Sequence, residues 1–492
     1  MCPKLIPISA SDTCVCGTRR TLLVLADFPD YPHLSSKAEV GQLFFGRVAR
    51  YFCDVSYGKL SVTGNATEWI TLPKLYGQYT GTDGTSGIAE IADDAFVAAS
   101  RFINMTSFDD FMLVLSFYPS LTADMVRLVT PIATKTGSIG RFAGVEEDRD
   151  WTTYARGYGL MIGLSRYETQ LSGLGFLDLA ASGQGDMTIW SKLILGWINE
   201  SQVVKLSSPF VRSIVTLDPN EAPGSDPLAI RLELGEGLGI YWIEDRQPIG
   251  YDRNTLQDYG AVITYLKSSN SSAKFIKVLQ PDSLGSAVFL NPDLELSMIA
   301  LNQTQGRIRI LLGDAQDGRD AQEALYAILR ASDAVQIADS ASRIEGLGIA
   351  QQLLSDAHTQ FALAQFKQAD ALAISAETMA NSATIPQDYY QASQLLGTAG
   401  ELRNETLGVT SSQASQLVVQ ANAALQRAKD AFAAKNFGIA EQNAQSAIDL
   451  FNSAQRIDLT EKILWWIGNL ALIIPVAILA FALRYQLKGN WR

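Results

Sequence analysis

The first 205 residues alternate between strand-like and helix-like hydrophobic patterns. Residues 21–26 (TLLVLA) and 111–117 (FMLVLSF) are short apolar runs that predict buried strands. Between them, residues 36–54 place apolar side chains at helical spacing, and residues 60–62 resume an extended pattern. Strands that alternate with helices predict an α/β layer over residues 1–205.

The pattern changes at about residue 206, where short β-rich runs are separated by Pro, Gly, Asn and Asp. Runs of this length and spacing predict a β-sandwich over residues 206–314. The runs are residues 210–217, 228–234, 239–244, 261–266 and 307–312.

Residues 315–458 contain almost no β pattern and are rich in Ala, Gln and Leu at helical spacing. Seven positions recur 71 residues later: Leu354, Ala357, Phe361, Phe366, Ala369, Ala373 and Ala376 are matched by Leu425, Ala428, Phe432, Phe437, Ala440, Ala444 and Ala447. Each copy predicts a helical hairpin in which small residues allow close helix packing and a Phe pair fills the bend. Two interpretations remain: a stalk that lifts the head from a membrane, or a repeat surface that binds a protein partner.

The segment Ile463–Leu483 contains 21 residues without a formal charge. As a helix it is about 31 Å long, which is enough to cross a bilayer core. Its length favours a membrane helix over a buried core helix, and residues 459–492 are therefore predicted to hold one transmembrane helix and a short tail. Aromatic residues lie near both ends of the segment as in interfacial belts: Trp465 and Trp466 at its start, and Tyr485 and Trp491 after its end.

The charges of the tail predict the orientation of this helix. The tail carries Arg484, Lys488 and Arg492 and no acidic residue, so the positive-inside rule places it in the cytoplasm and the preceding chain outside. Residues 1–20 show no apolar stretch typical of a signal peptide, so export requires an upstream start or a processed chain. Six sequons fit a glycosylated exterior: Asn65, Asn104, Asn199, Asn270, Asn302 and Asn404.

All the cysteines lie in the first 53 residues: Cys2, Cys14, Cys16 and Cys53. An even number in an exported chain indicates two disulfides. Because Cys14 and Cys16 are too close to pair comfortably, each is expected to bond Cys2 or Cys53. A four-thiolate zinc site is the alternative, although the paired C-x2-C spacing of such sites is absent.

Composition and motifs exclude several classes of function. A net charge of −12 without a Lys/Arg cluster argues against nucleic-acid binding. The sequence has no Gly-rich phosphate loop and no G-x-S-x-G motif, and a Ser/His/Asp triad would have to use His33 or His358, the only two histidines. Clustered acids suggest a structural calcium site, with solvated loop acids as the alternative: Asp27, Asp30, Glu146, Glu147, Asp148 and Asp150.

Three groups of residues resemble the immune inhibitor A-type secreted zinc metallopeptidases. They are Tyr51–Val62 with Trp69–Pro73, Leu177–Gly183 with Trp190–Ile198, and Tyr241–Asp252 with Gly260–Leu266. They occur in the family's order over about residues 20–312, and the helical region and membrane segment lie outside the resemblance. The resemblance implies a metzincin-like α/β head.

The same resemblance identifies the position of an active-site helix. In that family the helix has the pattern A-H-E-x-G-H-x-x-G-L-P-D, in which two His and an Asp hold zinc and the Glu activates water. The aligned residues 155–166 keep the framework at Ala155, Gly159, Gly163 and Leu164. All four chemical positions are lost, to Arg156, Gly157, Leu160 and Arg166, and Ala180 stands where a Met is expected beneath the metal.

These replacements predict a head without zinc chemistry. Arg and Leu donate no lone pair to zinc, and two guanidinium groups repel a dication. We expect Arg156 and Arg166 to pair instead with Asp178 or with the acidic run at residues 146–148.

The sequence therefore predicts a multidomain α+β protein that is a membrane-anchored, extracellular pseudo-metallopeptidase with no cofactor beyond the possible calcium. It would act as a non-catalytic binding or structural surface subunit, and bind protein partners through its cleft or its helical region. Two alternatives remain. One is an active membrane-anchored metallopeptidase with an atypical site, and the other is an accessory subunit of a larger membrane or surface-layer complex.

Overall fold

The computed structural model describes residues 15–79, 87–118, 124–181, 183–207, 211–235, 237–254, 258–267, 271–281 and 285–489. The described chain is mixed α+β with several sheets and a long apolar C-terminal helix. It divides into two compact units. The first unit is Met1–Tyr326 with Gln360–Lys367, and the second unit is Ala327–Thr359 with Gln368–Arg492.

The first unit begins with one mixed sheet. Its strands are β1 (Gly17–Asp27), β2 (Leu60–Ala66), β3 (Ile70–Thr71), β4 (Asp110–Leu115), β5 (Asp124–Ala133) and β6 (Ser138–Glu146). The order is β2-β1-β4-β6-β5, with β3 also paired to β1. β5 is antiparallel to β6, and the other pairings are parallel. The predicted strands at residues 21–26 and 111–117 are thus confirmed as β1 and β4.

Helices cover both faces of this sheet. They are α1 (Lys37–Gly41), α2 (Ala49–Val55), α3 (Tyr76–Tyr79), α4 (Ile88–Ala99), α5 (Trp151–Ile162), α6 (Glu168–Leu171) and α7 (Ile189–Ile194). Leu23 and Leu25 of β1 share a core with α2 and α5, whereas Leu22 and Val24 share a core with α4. Burial on both faces explains why residues 22–26 of β1 are continuously apolar. The helix predicted over residues 36–54 is present, but its middle is a π-helix, Gln42–Val48.

Two further sheets enclose one core in the first unit. Their strands are β7 (Val203–Ser207), β8 (Ser213–Leu217), β9 (Ala229–Glu233), β10 (Ile240–Arg246), β11 (Gly260–Leu266), β12 (Lys274–Leu279), β13 (Val288–Asn291), β14 (Leu296–Thr304) and β15 (Arg307–Gly313). One sheet has the order β12-β11-β10-β9-β7 and the other has the order β13-β14-β15-β8. Ile243 and Ile263 of the first share a core with Met298 and Ile310 of the second, as in a β-sandwich.

After β15 the described chain is mainly helical. The helices are α8 (Ala315–Ser340), α9 (Leu347–Ala362), α10 (Phe366–Ser382), α11 (Gln387–Glu405), α12 (Ser412–Ala433) and α13 (Phe437–Gly489). Short 3₁₀ helices occur at Met105–Ser107, Leu164–Tyr167, Ser172–Leu177, Leu179–Ala181, Glu200–Gln202, Gly250–Asn254, Pro292–Leu294 and Thr406–Gly408.

The 71-residue repeat produces two bends of the same geometry. The Phe361 and Phe366 ring centroids are 5.2 Å apart, and the Phe432 and Phe437 centroids are 5.1 Å apart. Each bend contains one residue with φ of 58°, which is Ala364 in the first copy and its counterpart 71 residues later in the second. In both bends a backbone N–H donates over 2.9 Å to the carbonyl five residues earlier. The two helical hairpins predicted from the repeat are therefore confirmed.

Helix α13 contains the candidate membrane span. Among the described residues it is the one helix long and apolar enough to cross a membrane, judged by length and composition. The mean hydropathy of its most apolar window is 2.2, and none of that window is buried. A core helix of a soluble protein would be mostly buried, so the exposure favours the membrane interpretation over the buried-helix alternative.

The bends give a testable prediction about stability. Phe361 is 1% exposed, so Phe361→Ala should lower the free energy of unfolding by about 3–5 kcal/mol. Phe432 is only half-buried, so its truncation should cost less. Guanidinium titration of the full chain in detergent measures both. Leu363→Ala, at an exposed position of the same bend, is the control and should change stability by at most about 0.5 kcal/mol. Equal small effects at Phe361 and Leu363 would contradict the packing role.

Candidate functional site

Helix α5 carries the positions aligned with the metallopeptidase site, and it lies inside the core. Ten of its 12 residues are buried, including Gly157 and Leu160. Asp150 caps its N-terminus by accepting a 3.0 Å hydrogen bond from the Thr153 N–H. The framework glycine Gly159 allows close packing, because a methyl group there would lie 3.3 Å from Leu179 Cδ2.

Arg156 is held by neighbours within the same fold. Its Nη2 donates to Glu168 Oε1 over 2.8 Å, and its Nε donates to the Ala180 carbonyl over 3.2 Å. The carboxylate that the described contacts place beside Arg156 is thus Glu168, which was not among the expected partners. Asp178 instead accepts hydrogen bonds from Ala180 N–H (2.9 Å) and from Thr188 N–H and Oγ1 (2.9 and 2.7 Å). Arg166 lies in the 3₁₀ helix Leu164–Tyr167, and its side chain is outside the described part of the structure.

The residues at this position do not fit a zinc ion. Gly157 has no side chain, and Leu160 is 1% exposed and packs in the apolar core. Arg156, at the position that the resemblance assigns to the first ligand, is paired with Glu168. Neither Arg nor Leu supplies the neutral nitrogen or carboxylate oxygen that zinc requires. Over the described ranges of the chain, no group of three or more His, Cys, Asp or Glu side chains could hold a metal ion.

The six acids considered for calcium each have a protein partner. Asp27 lies 2.7 Å from His33 Nδ1, and the His33 ring stacks on Trp69 at 4.5 Å. Glu147 accepts hydrogen bonds from the N–H groups of Leu34 (2.7 Å) and Ser35 (2.8 Å). These contacts make His33 part of a structural loop. The remaining acids bond to a backbone N–H or lie beside Arg149: Asp30, Glu146, Asp148 and Asp150.

The cysteines are described only in part. Cys16 and Cys53 are disulfide-bonded and so are not free thiolates for a zinc site. Cys2 and Cys14 lie outside the described residues.

Most of the predicted glycosylation asparagines are exposed. Asn302 is half-buried in β14, and Asn270 lies outside the described residues. The exposed ones are Asn65, Asn104, Asn199 and Asn404.

A buried ionic cluster, which the sequence analysis did not identify, lies in the first unit. At its centre Arg246, which is 0% exposed, makes a bidentate bond to Asp252 through Nε (2.5 Å) and Nη2 (2.8 Å). Its Nη1 donates to Glu244 over 2.9 Å. Its guanidinium also donates to the carbonyls of Leu177 (3.3 Å) and Asp186 (2.9 Å). Arg246 therefore fastens the segment after α6 to strand β10.

A buried lysine extends the cluster. Lys192 of α7 is 0% exposed, and its Nζ lies 3.0 Å from Asp186 and 2.9 Å from the Tyr57 hydroxyl. Burial lowers the pKa of Lys192, but the charges of Asp186 and Tyr57 and the hydrogen bonds to both together raise it above its ordinary value. The cluster excludes solvent, so a substrate cannot reach these groups. Their arrangement is suited to stabilising the folded structure.

Glu221 and Asp252 lie in contact within this cluster, and each shifts the pKa of the other. Burial raises the pKa of Glu221, and its hydrogen bond to Asp252 raises it further. Burial opposes ionisation of Asp252 as well, but the Arg246 charge together with the hydrogen bonds from Glu221, Arg246 and the Asp186 N–H holds the pKa of Asp252 below its ordinary value. These opposite shifts favour a protonated Glu221 beside an ionised Asp252 at neutral pH.

An open groove lies along the π-helix. Its volume is about 770 Å³, and it is lined by Ala38, Glu39, Gln42, Leu43, Gly46, Arg47, Arg50 and Tyr251. The Arg47 guanidinium lies 4.8 Å from the centre of the Trp151 ring, at the first turn of α5. This concave surface combines apolar stems with two guanidinium groups, those of Arg47 and Arg50, and one carboxylate, that of Glu39.

The raised pKa of Glu221 predicts a pH dependence of stability. The carboxyl proton of Glu221 is the one that matters. Below pH 4.5, the ordinary pKa of Glu221, the folded and unfolded chains both hold this proton. Above that pH the unfolded chain releases it while the folded chain keeps it, so stability falls as pH rises. One such group gives a slope of up to about 1.4 kcal/mol per pH unit. Glu221→Gln should remove this slope, so the variant should gain stability over the wild type from pH 5 to pH 9.

The measurement is guanidinium unfolding across that pH range. The control is Glu200→Gln, which removes an exposed partner of Lys205 and should leave the slope unchanged. Parallel curves for wild type and Glu221→Gln would show that Glu221 is ionised in the folded protein.

The sequence matches no known protein-family profile and no curated protein. Interpretation of the function therefore depends on the chemistry of α5, the groove beside it and the C-terminal helix.

Proposed function

We propose that this protein is a membrane-anchored, non-catalytic binding or structural subunit whose head keeps a metallopeptidase-like scaffold without its chemistry. The contact between Arg156 and the Ala180 carbonyl carries the proposal. By the resemblance, the position of Arg156 corresponds to a zinc ligand, and the position of Ala180 corresponds to the Met beneath the metal. The two positions are in contact, which supports the alignment of α5 with an active-site helix.

The chemistry of the contact opposes an active peptidase. A guanidinium with its own carboxylate partner, Glu168, stands where zinc would need a neutral imidazole. Gly157 supplies no general base, and loss of a general base alone typically costs about 10²–10⁴ in rate. Leu160 contributes to the core, so its side chain has been adapted to packing.

The groove along Gln42–Val48 supports a binding role. Arg47 connects the groove to α5 through Trp151, and Arg50 is bonded only weakly to Asp54, at 3.4 Å. Two cations on an apolar groove favour a peptide segment that carries acidic side chains. The exposed apolar part of α13 supports attachment to a membrane.

Restoring the four lost groups tests the scaffold. The variant carries Arg156→His, Gly157→Glu, Leu160→His and Arg166→Asp. We expect it to be less stable than the wild type, because a polar ring replaces Leu160 in the core at a cost of about 2–5 kcal/mol. We also expect it to bind zinc that the wild type does not bind, as measured by metal analysis of the purified proteins.

Leu160→Met is the matched control, since a volume-conserving change at the same site should cost less than about 1.5 kcal/mol. Equimolar zinc in the wild-type protein, together with chelator-sensitive proteolysis, would instead establish an active enzyme.

The topology gives a second prediction. An external protease applied to intact cells should remove the chain before about Ile463 and leave a small membrane-bound fragment. The positive-inside rule places the tail with Arg484 in the cytoplasm, so an epitope there should resist digestion until the cells are permeabilised. Complete protection of residues 15–460 in intact cells would contradict the orientation.

A further inference from the structure

The turn between α11 and α12, Thr406–Ser411, exposes an apolar side chain close to the candidate membrane span. It begins with the 3₁₀ helix Thr406–Gly408, in which Leu407 is 78% exposed. We call Thr406–Ser411 the interfacial turn. An isolated exposed leucine needs no explanation, so its significance depends on where the turn is held.

Helix α13 fixes the position of this turn. The Asp458 carboxylate accepts hydrogen bonds from the N–H groups of Thr410 (3.0 Å) and Ser411 (3.2 Å). Lys462 Nζ lies 2.6 Å from the same carboxylate. The hydrogen bond from Lys462 and then that from Thr410 lower the pKa of Asp458 from 3.8 to about 2. The carboxylate is therefore ionised at neutral pH and keeps the turn attached to α13.

The length of helix between this attachment and the apolar segment determines the depth of the turn. Asp458 lies five residues before Ile463, which is about 7.5 Å along a helix. The headgroup layer on each side of a bilayer is about 5–7 Å thick. If the hydrocarbon begins near Ile463, the turn lies at the level of the headgroups.

The surface between the turn and the span has the chemistry of that layer. A cavity of about 320 Å³ is lined by Thr410, Ser411, Asp458, Glu461, Lys462, Trp465 and Trp466. The two indole side chains are 64% and 62% exposed. Tryptophan side chains favour the membrane–water interface, and a lysine near the end of a span binds lipid phosphates there.

We propose that the interfacial turn is a second membrane contact, which places Leu407 and the cavity beside Trp465 in the phospholipid headgroup layer. This inference rests on the proposed membrane anchoring by α13. A span alone leaves the helices before it free to tilt, whereas a second contact held by Asp458 restricts the tilt of α11, α12 and α13 against the bilayer surface.

Lipid-quenching fluorescence on the full-length protein tests this proposal. The protein is reconstituted into phosphatidylcholine–phosphatidylglycerol nanodiscs that contain lipids with a nitroxide near the headgroup. An environment-sensitive dye is attached through Leu407→Cys, and the unsubstituted chain measures background labelling. We expect the nitroxide lipids to reduce the dye emission at 407 at least twofold and to shift it to shorter wavelength.

Two matched positions on α13 make the outcome decisive. Ile439→Cys lies 24 residues before Ile463, about 36 Å along the helix, and its dye should stay unquenched. Leu470→Cys lies inside the span and should be strongly quenched by nitroxides deep in the acyl chains. Quenching at 470 but not at 407 would overturn the interfacial turn and leave the anchor intact. No quenching at 470 would overturn the anchor and this inference together. If Leu407 serves only a protein partner, the dye at 407 should stay unquenched, as at 439.

Discussion

The guanidinium of Arg246 is the interaction on which the first unit most depends. It is 0% exposed and bonds two carboxylates, Asp252 and Glu244, and two backbone carbonyls that belong to the segment after α6. Removing one partner from such a buried pair leaves a charge without compensation and typically costs about 3–5 kcal/mol. The same segment carries Ala180, so the geometry around Arg156 depends on a charge held by strand β10.

On the proposal that the head keeps a metallopeptidase-like scaffold without zinc, contacts between protein groups take the place of the metal. A zinc ion joins the elements that supply its ligands and thereby stabilises the fold. In this chain the elements around α5 are connected by the Arg156–Glu168 pair, the Asp178 bonds to Thr188 and the Arg246 cluster. The packing around Gly159 and Leu160 then needs only apolar contacts.

Patterns of local origin were predictable from the sequence. The apolar run at residues 21–26 corresponds to β1. The 71-residue period corresponds to two hairpins of equal geometry, and the uncharged segment at Ile463 corresponds to the exposed part of α13. The π-helix at Gln42–Val48 was missed because one extra residue in a helical turn leaves the apolar spacing almost unchanged.

The long-range polar contacts were not predictable. Glu168 was overlooked as the partner of Arg156 because it follows 12 residues later, beyond a break in the helix. The buried cluster was missed because charged residues are normally exposed, and its partners come from distant positions such as Asp186 and Asp252. The one available signal was the charged triplet Glu244–Arg246 at the end of an apolar β run. The head's likeness to a metallopeptidase stays a prediction.

The duplicated bend has a consequence for the order in which the chain folds. Each bend closes through a ring contact between residues five positions apart, such as Phe361 and Phe366. Short loops close at little entropic cost, and regions rich in local contacts fold fast. The head's sheet instead depends on contacts such as Arg19 with Asp110, which are 91 residues apart. The helical hairpins are therefore expected to form within microseconds to milliseconds. Formation of the sheet is the slow step, and it sets the time for which apolar strands stay exposed and can aggregate.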